Sequence, residues 1–182
     1  MPIDTVDAIL PCFRYHPDPI ATGSIVRGDS PCPCCDKVTG LLYSRNLHCP
    51  EEVSGICPWC IADGTAAAKF NRSFNDASPL LSAGINAWII ETVTRHTPGY
   101  CSWQGDDWQT CCNDACAFLG DLSASELKNI PMLELRSILW DSKDSDEQLL
   151  KFVRNYTPGG SPAIYSWLCL HCGRKKYNAD SD

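Results

Sequence analysis

The chain has 182 residues, 44% of them apolar and 20% charged, enough for one substantial core or two small ones sharing an interface. With 15 Lys and Arg against 22 Asp and Glu its net charge is −7, which argues against general binding to nucleic-acid backbones, because that affinity comes from cationic side chains displacing counterions. No apolar run approaches the ~18 residues of a membrane span, and Met1 to Pro11 carries Asp4 and Asp7 without Lys or Arg, so a soluble cytoplasmic protein with no membrane partner is expected.

Residues 1–30 place Pro11, Pro17, Pro19, Gly23 and Gly28 between short apolar pieces, which reads as an extended lead-in. Cys32-Pro-Cys-Cys35 followed by Gly40-Leu-Leu-Tyr-Ser44 predicts a turn and a short strand. Cys57-Pro-Trp-Cys60 runs into Ile61-Ala-Asp-Gly-Thr-Ala-Ala-Ala-Lys69, whose alanines favour a short helix that Gly64 weakens. Ile85, Trp88, Ile89 and Val93 recur at helical spacing, so a helix over 85–95 is expected to stop before Pro98-Gly99. Asp106 is placed to cap a further helix through Leu119, ended by Gly120, with Cys112 and Cys116 on one face. Ser123 with Glu126, and Ser145 with Gln148, have capping-box spacing at the starts of two more helices, the first divided by Pro131. Ala163 to Leu168 reads as a strand entering the turn Cys169-Leu-His-Cys172-Gly173, and Arg174, Lys175 and Lys176 as a solvated basic tail.

The expected fold class is therefore α+β, with zinc-ribbon or treble-clef-like knuckles and short β-hairpins packed with several α-helices. One domain over 1–182 is expected. Within it lie a zinc subregion at 25–75, a second formed by 100–120 and 163–182, and a helical insert over 121–157.

Thirteen cysteines is an odd count, and in a reducing compartment close pairs are more often metal ligands or redox centres than structural bridges. Cys32 and Cys35 with Cys57 and Cys60 give two tight turns that aim four sulfurs at one point, the closed tetrahedron of structural Zn2+. Cys34, His48 and Cys49 are alternative ligands there. The Cys57–Cys60 pair also has dithiol redox spacing, but such motifs do not come with a second matched pair upstream. Half of a zinc deaminase signature fits Pro31-Cys32-x-x-Cys35, yet His16-Pro-Asp18 supplies Asp in place of Glu and lies too close. A second structural Zn2+ is expected on Cys112, Cys116, Cys169 and Cys172, with Cys111 competing with Cys112 and Cys101 also able to reach in. His16, His48, His96 and His171 are scattered, and no nucleophile elbow or phosphate-cradling loop occurs, so no catalytic residues are expected.

Ile56-Cys57-Pro-Trp-Cys60-Ile61-Ala-Asp-Gly64, Thr97-Pro-Gly-Tyr100, Trp103-Gln104-Gly105 and the Trp108 to Cys116 segment resemble the CbrC family, named for a bacterial colicin tolerance protein. Phe13-Arg-Tyr-His-Pro-Asp-Pro19 and Cys169-Leu-His-Cys172-Gly173 carry the same resemblance, which spans nearly the whole chain. The family pattern more usually has His where Cys111 stands, an exchange a metal ligand tolerates. The resemblance implies protection against a DNase colicin and likeness to immunity proteins.

The function expected is then an immunity or tolerance protein that binds a cognate nuclease toxin and blocks its basic substrate groove, without catalysis. No Lys or Arg lies between Arg95 and Lys128, while Asp106, Asp107, Asp114, Asp121 and Glu126 do, and Trp103 and Trp108 could anchor an interface there. The bland reading makes these acids a solvated face and both tryptophans core. Two rival functions are a zinc-ribbon adaptor touching nucleic acid or transcription machinery through the basic tail, and a thiol oxidoreductase using Cys57 and Cys60.

Overall fold

The computed structural model describes residues 9–45, 53–102, 105, 107–139 and 145–181. It is a mixed α+β fold in which, among the described residues, seven helices surround three small antiparallel sheets.

In the first third, β1 (Ile25–Arg27) pairs with β2 (Leu41–Tyr43) in the register Val26↔Leu42, and the Tyr43 N–H donates to the Ile56 carbonyl at 2.7 Å. This bond draws the segment before Cys57 onto the hairpin. Helix α1 (Pro58–Ala62) starts with proline at its first turn, where the missing N–H is not needed, and α2 (Thr65–Phe70) follows after Gly64. Gly64 does more than weaken a helix. It has φ +77°, and a Cβ there would stand 2.4 Å from the His96 ring, so only glycine lets this turn meet the later helix. Phe13, Ile25, Tyr43, Ile56, Ile61 and Phe74 form the apolar cluster of this region, with the buried cysteines among them.

After α3 (Ser78–Ser82), α4 (Ala87–His96) is capped by Asn86, whose side chain accepts from the Trp88 N–H. Ile89 and Val93 are buried while Trp88 is 58% exposed, so the expected helix is present with Trp88 on its outer face.

Residues 107–119 do not form the expected helix. β3 (Thr110–Cys111) and β4 (Asp114–Ala115) make a hairpin, and β5 (Ala117–Asp121) follows. The reason is local: Cys112 and Asn113 both have positive φ, +53° and +58°, so a two-residue turn reverses the chain in the hand that suits strand twist. Gly120 lies inside β5, not past the end of a helix.

Next come α5 (Ala124–Leu127), α6 (Met132–Ile138), which starts after Pro131, and α7 (Asp146–Asn155). Both capping boxes, at Ser123/Glu126 and Ser145/Gln148, are complete. β6 (Ala163–Leu168) is the central strand of a sheet ordered β5-β6-β7. Its third strand, β7 (Lys175–Asp180), replaces the expected solvated tail and pairs antiparallel from Lys175↔Leu168 to Asp180↔Ala163. The Cys169–Gly173 turn makes this reversal possible.

The sheet has apolar cover on both faces. Leu127, Leu135, Ile138, Val153 and Tyr156 of the helical segment pack with Ile164 on one. On the other, Tyr100, Trp108, Phe118, Tyr165 and Trp167 form an aromatic core whose ring centroids lie 4.4 to 6.0 Å apart. The segment expected as an extended lead-in is a strap pinned by the buried Phe13, Tyr15 and His16, with Cys12, Arg14, Pro17 and Asp18 exposed between and after them. Phe13 packs in the first cluster, Tyr15 in the aromatic core, and the Phe118 N–H donates to the Tyr15 carbonyl at 2.8 Å.

Candidate metal centres

Cys32, Cys35, Cys57 and Cys60 come together with all four sulfurs within 4.8 Å of one another. The first pair sits in a knuckle: the Cys32 N–H donates to the Lys37 carbonyl at 2.9 Å, the Asp36 N–H donates to the Cys32 carbonyl at 2.8 Å, and Asp36 takes φ +60° to close the turn. The second pair stands at the start of α1, with Cys57 at the N-cap. Sulfurs at about 2.3 Å from a tetrahedral ion are spaced about 3.8 Å apart. The Cys35–Cys57 separation is 3.9 Å. Three of these cysteines are buried and Cys35 is half-buried.

Burial alone would keep the Cys32 thiol protonated, yet backbone N–H groups of Cys57, Cys35 and Cys34 outweigh it and pull its pKa down to about 7. Burial pushes Cys57 up to about 11 and Cys60 higher still. A lowered Cys32 thiol beside raised Cys57 and Cys60 thiols is what sulfurs crowded enough to share one metal ion show, and binding an ion there would displace their protons. Cys34 is buried beside Cys60 as a fifth thiol, outside the four-sulfur set. His48 and Cys49 lie outside the described residues.

The second group contains Cys111, Cys112, Cys169 and Cys172. Cys116, expected as a ligand, is not in it. It is fully buried against the aromatic core, and its carbonyl accepts from the Trp108 indole at 3.0 Å. The expected i to i+4 pairing needed a helix, and the hairpin turn instead presents the adjacent Cys111 and Cys112 together. Both Cys111 and Cys112 fall within the group: Cys111 lies 3.7 Å from Cys112 and 3.8 Å from Cys172. Asn113-Asp114 after a cysteine pair was the turn signal that pointed this way. The other two cysteines sit in a knuckle that repeats the first, with the Cys169 N–H donating to the Arg174 carbonyl, the Gly173 N–H to the Cys169 carbonyl, and Gly173 at φ +70°. Backbone N–H groups of Cys172 and His171 lower the Cys169 thiol to about 6, while hydrogen bonding to Cys111 raises Cys112 to about 12. Cys112 and Cys172 are exposed. Cys101 points elsewhere in the chain's plan: it is exposed, and its carbonyl accepts from the Tyr165 hydroxyl at 2.6 Å.

Beside this group Asp114 is buried and accepts from the Tyr15 hydroxyl at 2.7 Å, from Arg14 at 3.1 Å and from the His171 ring at 2.8 Å. Burial opposes its ionisation, but these donors win and hold its carboxyl below the usual range. His171, although exposed, is thus half of a clip between the terminal knuckle and the hairpin. Of the residues expected to contact a partner, Asp107 is exposed. Asp114 and Trp108 are buried, and Asp121 is engaged by the Tyr156 hydroxyl and the Gly159 and Ile164 N–H groups. Trp103 and Asp106 lie outside the described residues.

Two four-sulfur groups, each with a donor set and spacing that suit one tetrahedral metal ion, define a small α+β protein with two candidate metal centres. The chain belongs to UPF0167, an uncharacterised protein family whose model matches residues 10–181. It is 45% identical to UPF0167 protein PA1536 of Pseudomonas aeruginosa, over 94% of this chain and 97% of the relative. It is 38% identical to UPF0167 protein Mb2317 of Mycobacterium bovis and to UPF0167 protein MT2352 of Mycobacterium tuberculosis, over 90% of this chain and 89% of each. No solved structure matches it. No helix among the described residues is long and apolar enough to cross a membrane.

Proposed function

We propose that this chain is an immunity-type protein of the bacterial cytoplasm, held rigid by two structural Zn2+ ions, which binds a nuclease toxin and blocks its substrate groove without catalysing a reaction. The observation that carries it is the sign of the chain's charge. Its net charge of −7 has the sign a basic nuclease groove attracts, and among the described acids all but Asp114 and Asp180 are at least partly exposed. The CbrC resemblance carried by the Cys57 to Gly64 and Trp108 to Cys116 segments supports the same reading. So does the chemistry of the centres, since four thiolates around one ion leave no open coordination position for a substrate. Asp107 remains a candidate contact, whereas Asp114, Asp121 and Trp108 are withdrawn because the fold itself uses them.

The test is stoichiometric. Titrating the metal-loaded protein into the nuclease encoded beside its gene, or into the DNase domain of a colicin, should abolish DNA cleavage at one equivalent and give a single co-eluting complex. Full cleavage in the presence of excess protein, with no complex on gel filtration, rejects the reading. The adaptor alternative keeps one supporting observation: Arg174 and Lys175 are exposed beside the second centre. A salt-dependent DNA mobility shift would favour it over toxin binding.

A further inference from the structure

A cavity of about 340 Å³ lies away from both cysteine groups, between the N-terminal strap, the start of β5 and β6, and the turn after α7. Its size falls at the lower end of the ~300–1,000 Å³ of small-molecule sites. The floor is apolar, from Phe118, Ala163, Pro158 and the Tyr165 ring. The strand register shifts between Phe118 and Gly120, and a Cβ on Gly120, which has φ +103°, would stand 3.1 Å from Thr22 Cγ2. An irregular, glycine-bearing strand thus lets the strap approach and shapes the wall.

The polar atoms of the wall have one character. The Pro98 carbonyl, 2.8 Å from His16 Nδ1, can only accept, so the proton of this neutral imidazole is on Nδ1 and Nε2 is an acceptor. The Thr22 hydroxyl lies 2.7 Å from Nε2, 3.2 Å from the Pro19 carbonyl and 3.4 Å from the Ser24 hydroxyl, so its hydrogen is held among acceptors and its oxygen is left to accept. The Tyr165 hydroxyl likewise gives its hydrogen to the Cys101 carbonyl at 2.6 Å. Asp121 accepts from the Tyr156 hydroxyl and the N–H groups of Gly159 and Ile164, three of the roughly four hydrogen bonds a carboxylate can accept. Asp121 is the one charged side chain among the described residues that line the cavity. Thr22 and His16 have the outline of a nucleophile and its base, but burial depresses His16 to about 4, which makes it a poor proton acceptor and leaves the pair suited to binding.

We propose that this cavity binds an organic cation with a short apolar stem, its guanidinium or ammonium head donating to Thr22, Tyr165 and Asp121 while the stem covers Phe118 and Pro158. A multi-donor cation matches a wall made of acceptors, and the aromatic faces add a cation–π attraction. The inference is independent of toxin binding.

The experiment is an amide NMR titration of the full, metal-loaded chain with butylguanidinium and with its neutral near-isostere butylurea. Saturable shifts at Gly120, Gly159 and Ala163 are expected for the cation, with affinity at least about tenfold above that of the urea, the order a charge-assisted hydrogen bond contributes. Equal binding of the two, or no saturable shift at these amides, overturns the proposal. Thr22→Val should weaken the cation several-fold without altering the spectrum elsewhere, and because the ligand comparison needs no variant, a Thr22→Val chain that misfolds does not blunt the test. A capped arginine that binds as tightly as butylguanidinium assigns the cation to the side chain of another protein. One that is shut out assigns it to a free small molecule.

Discussion

The two cysteine groups share a donor set and a sulfur spacing, yet they hold opposite positions in the molecule. In the first, Cys32, Cys57 and Cys60 are themselves part of the apolar cluster, with Ile56 and Ile61 packed beside them. In the second, Cys112 and Cys172 are exposed at the edge of an aromatic core that has its own apolar cohesion. Identical coordination chemistry can therefore do two jobs. It can sit inside a small apolar cluster and complete it, or it can tie the ends of a sheet whose core stands apart from it.

The largest expected effect follows from the first job. Cys57→Ser should lose one of two metal equivalents and melt residues 25–75. A structural zinc ion contributes on the order of 10 kcal/mol to folding, comparable with the whole stability of a domain. Metal analysis together with the amide spectrum checks this, and a folded first region with one metal equivalent would break the comparison. The second job predicts that a chelator strips the exposed centre first, leaving the near-ultraviolet signal of the aromatic core largely intact. A paired substitution sharpens it: Cys111→Ala should bind one metal equivalent, whereas Cys116→Ala should keep two and lose only about 1 to 2 kcal/mol of packing.

The strap that joins the regions gives a smaller, pH-dependent effect. Burial holds His16 at about 4, below its ordinary 6.5, so the unfolded chain takes up this proton first. Stability present above pH 6.5 is then lost as pH falls toward 4, by about 3 kcal/mol for this group. Urea midpoints across that range should fall less steeply in His16→Asn than in the parent chain. The smallest effect lies in the helical segment, remote from both groups. Ser145→Ala removes one capping box and should cost about 1 kcal/mol with metal content unchanged.

Much of this was legible where the physics is local. Cys-x-x-Cys spacing needs only a turn, and the Ser123 and Ser145 boxes need only three residues, so both survive the absence of tertiary information. The helix expected over 106–119 failed because Asp106 offers a plausible cap, while the hairpin that wins depends on Cys112 and Asn113 adopting left-handed backbone and on Ala117 to Asp121 finding β6. With that helix went the place of Cys116 in the four-sulfur group, and Asp114 and Asp121 as candidate contacts, since the fold itself uses them. β7 was hidden because Lys175-Lys-Tyr-Asn-Ala-Asp180 looks like a charged tail until β6 supplies hydrogen bonds and the helical segment covers Tyr177 and Ala179. The role of His16 could not be read at all, since its partners are Pro98 and Thr22, one of them 82 positions away.

The order of the cysteines along the chain also sets a timetable for synthesis. All four sulfurs of the first group precede residue 61, so that centre can close while the ribosome is still making the rest. The second must wait for Cys169 and Cys172, and until they emerge Cys111 and Cys112 remain a bare vicinal dithiol on the β3–β4 hairpin, beside a β5 that has no β6 to pair with. A chain interrupted before Cys169 would thus be a product with a finished front and a reactive, sticky middle, a difference that proteases and chaperones can sense.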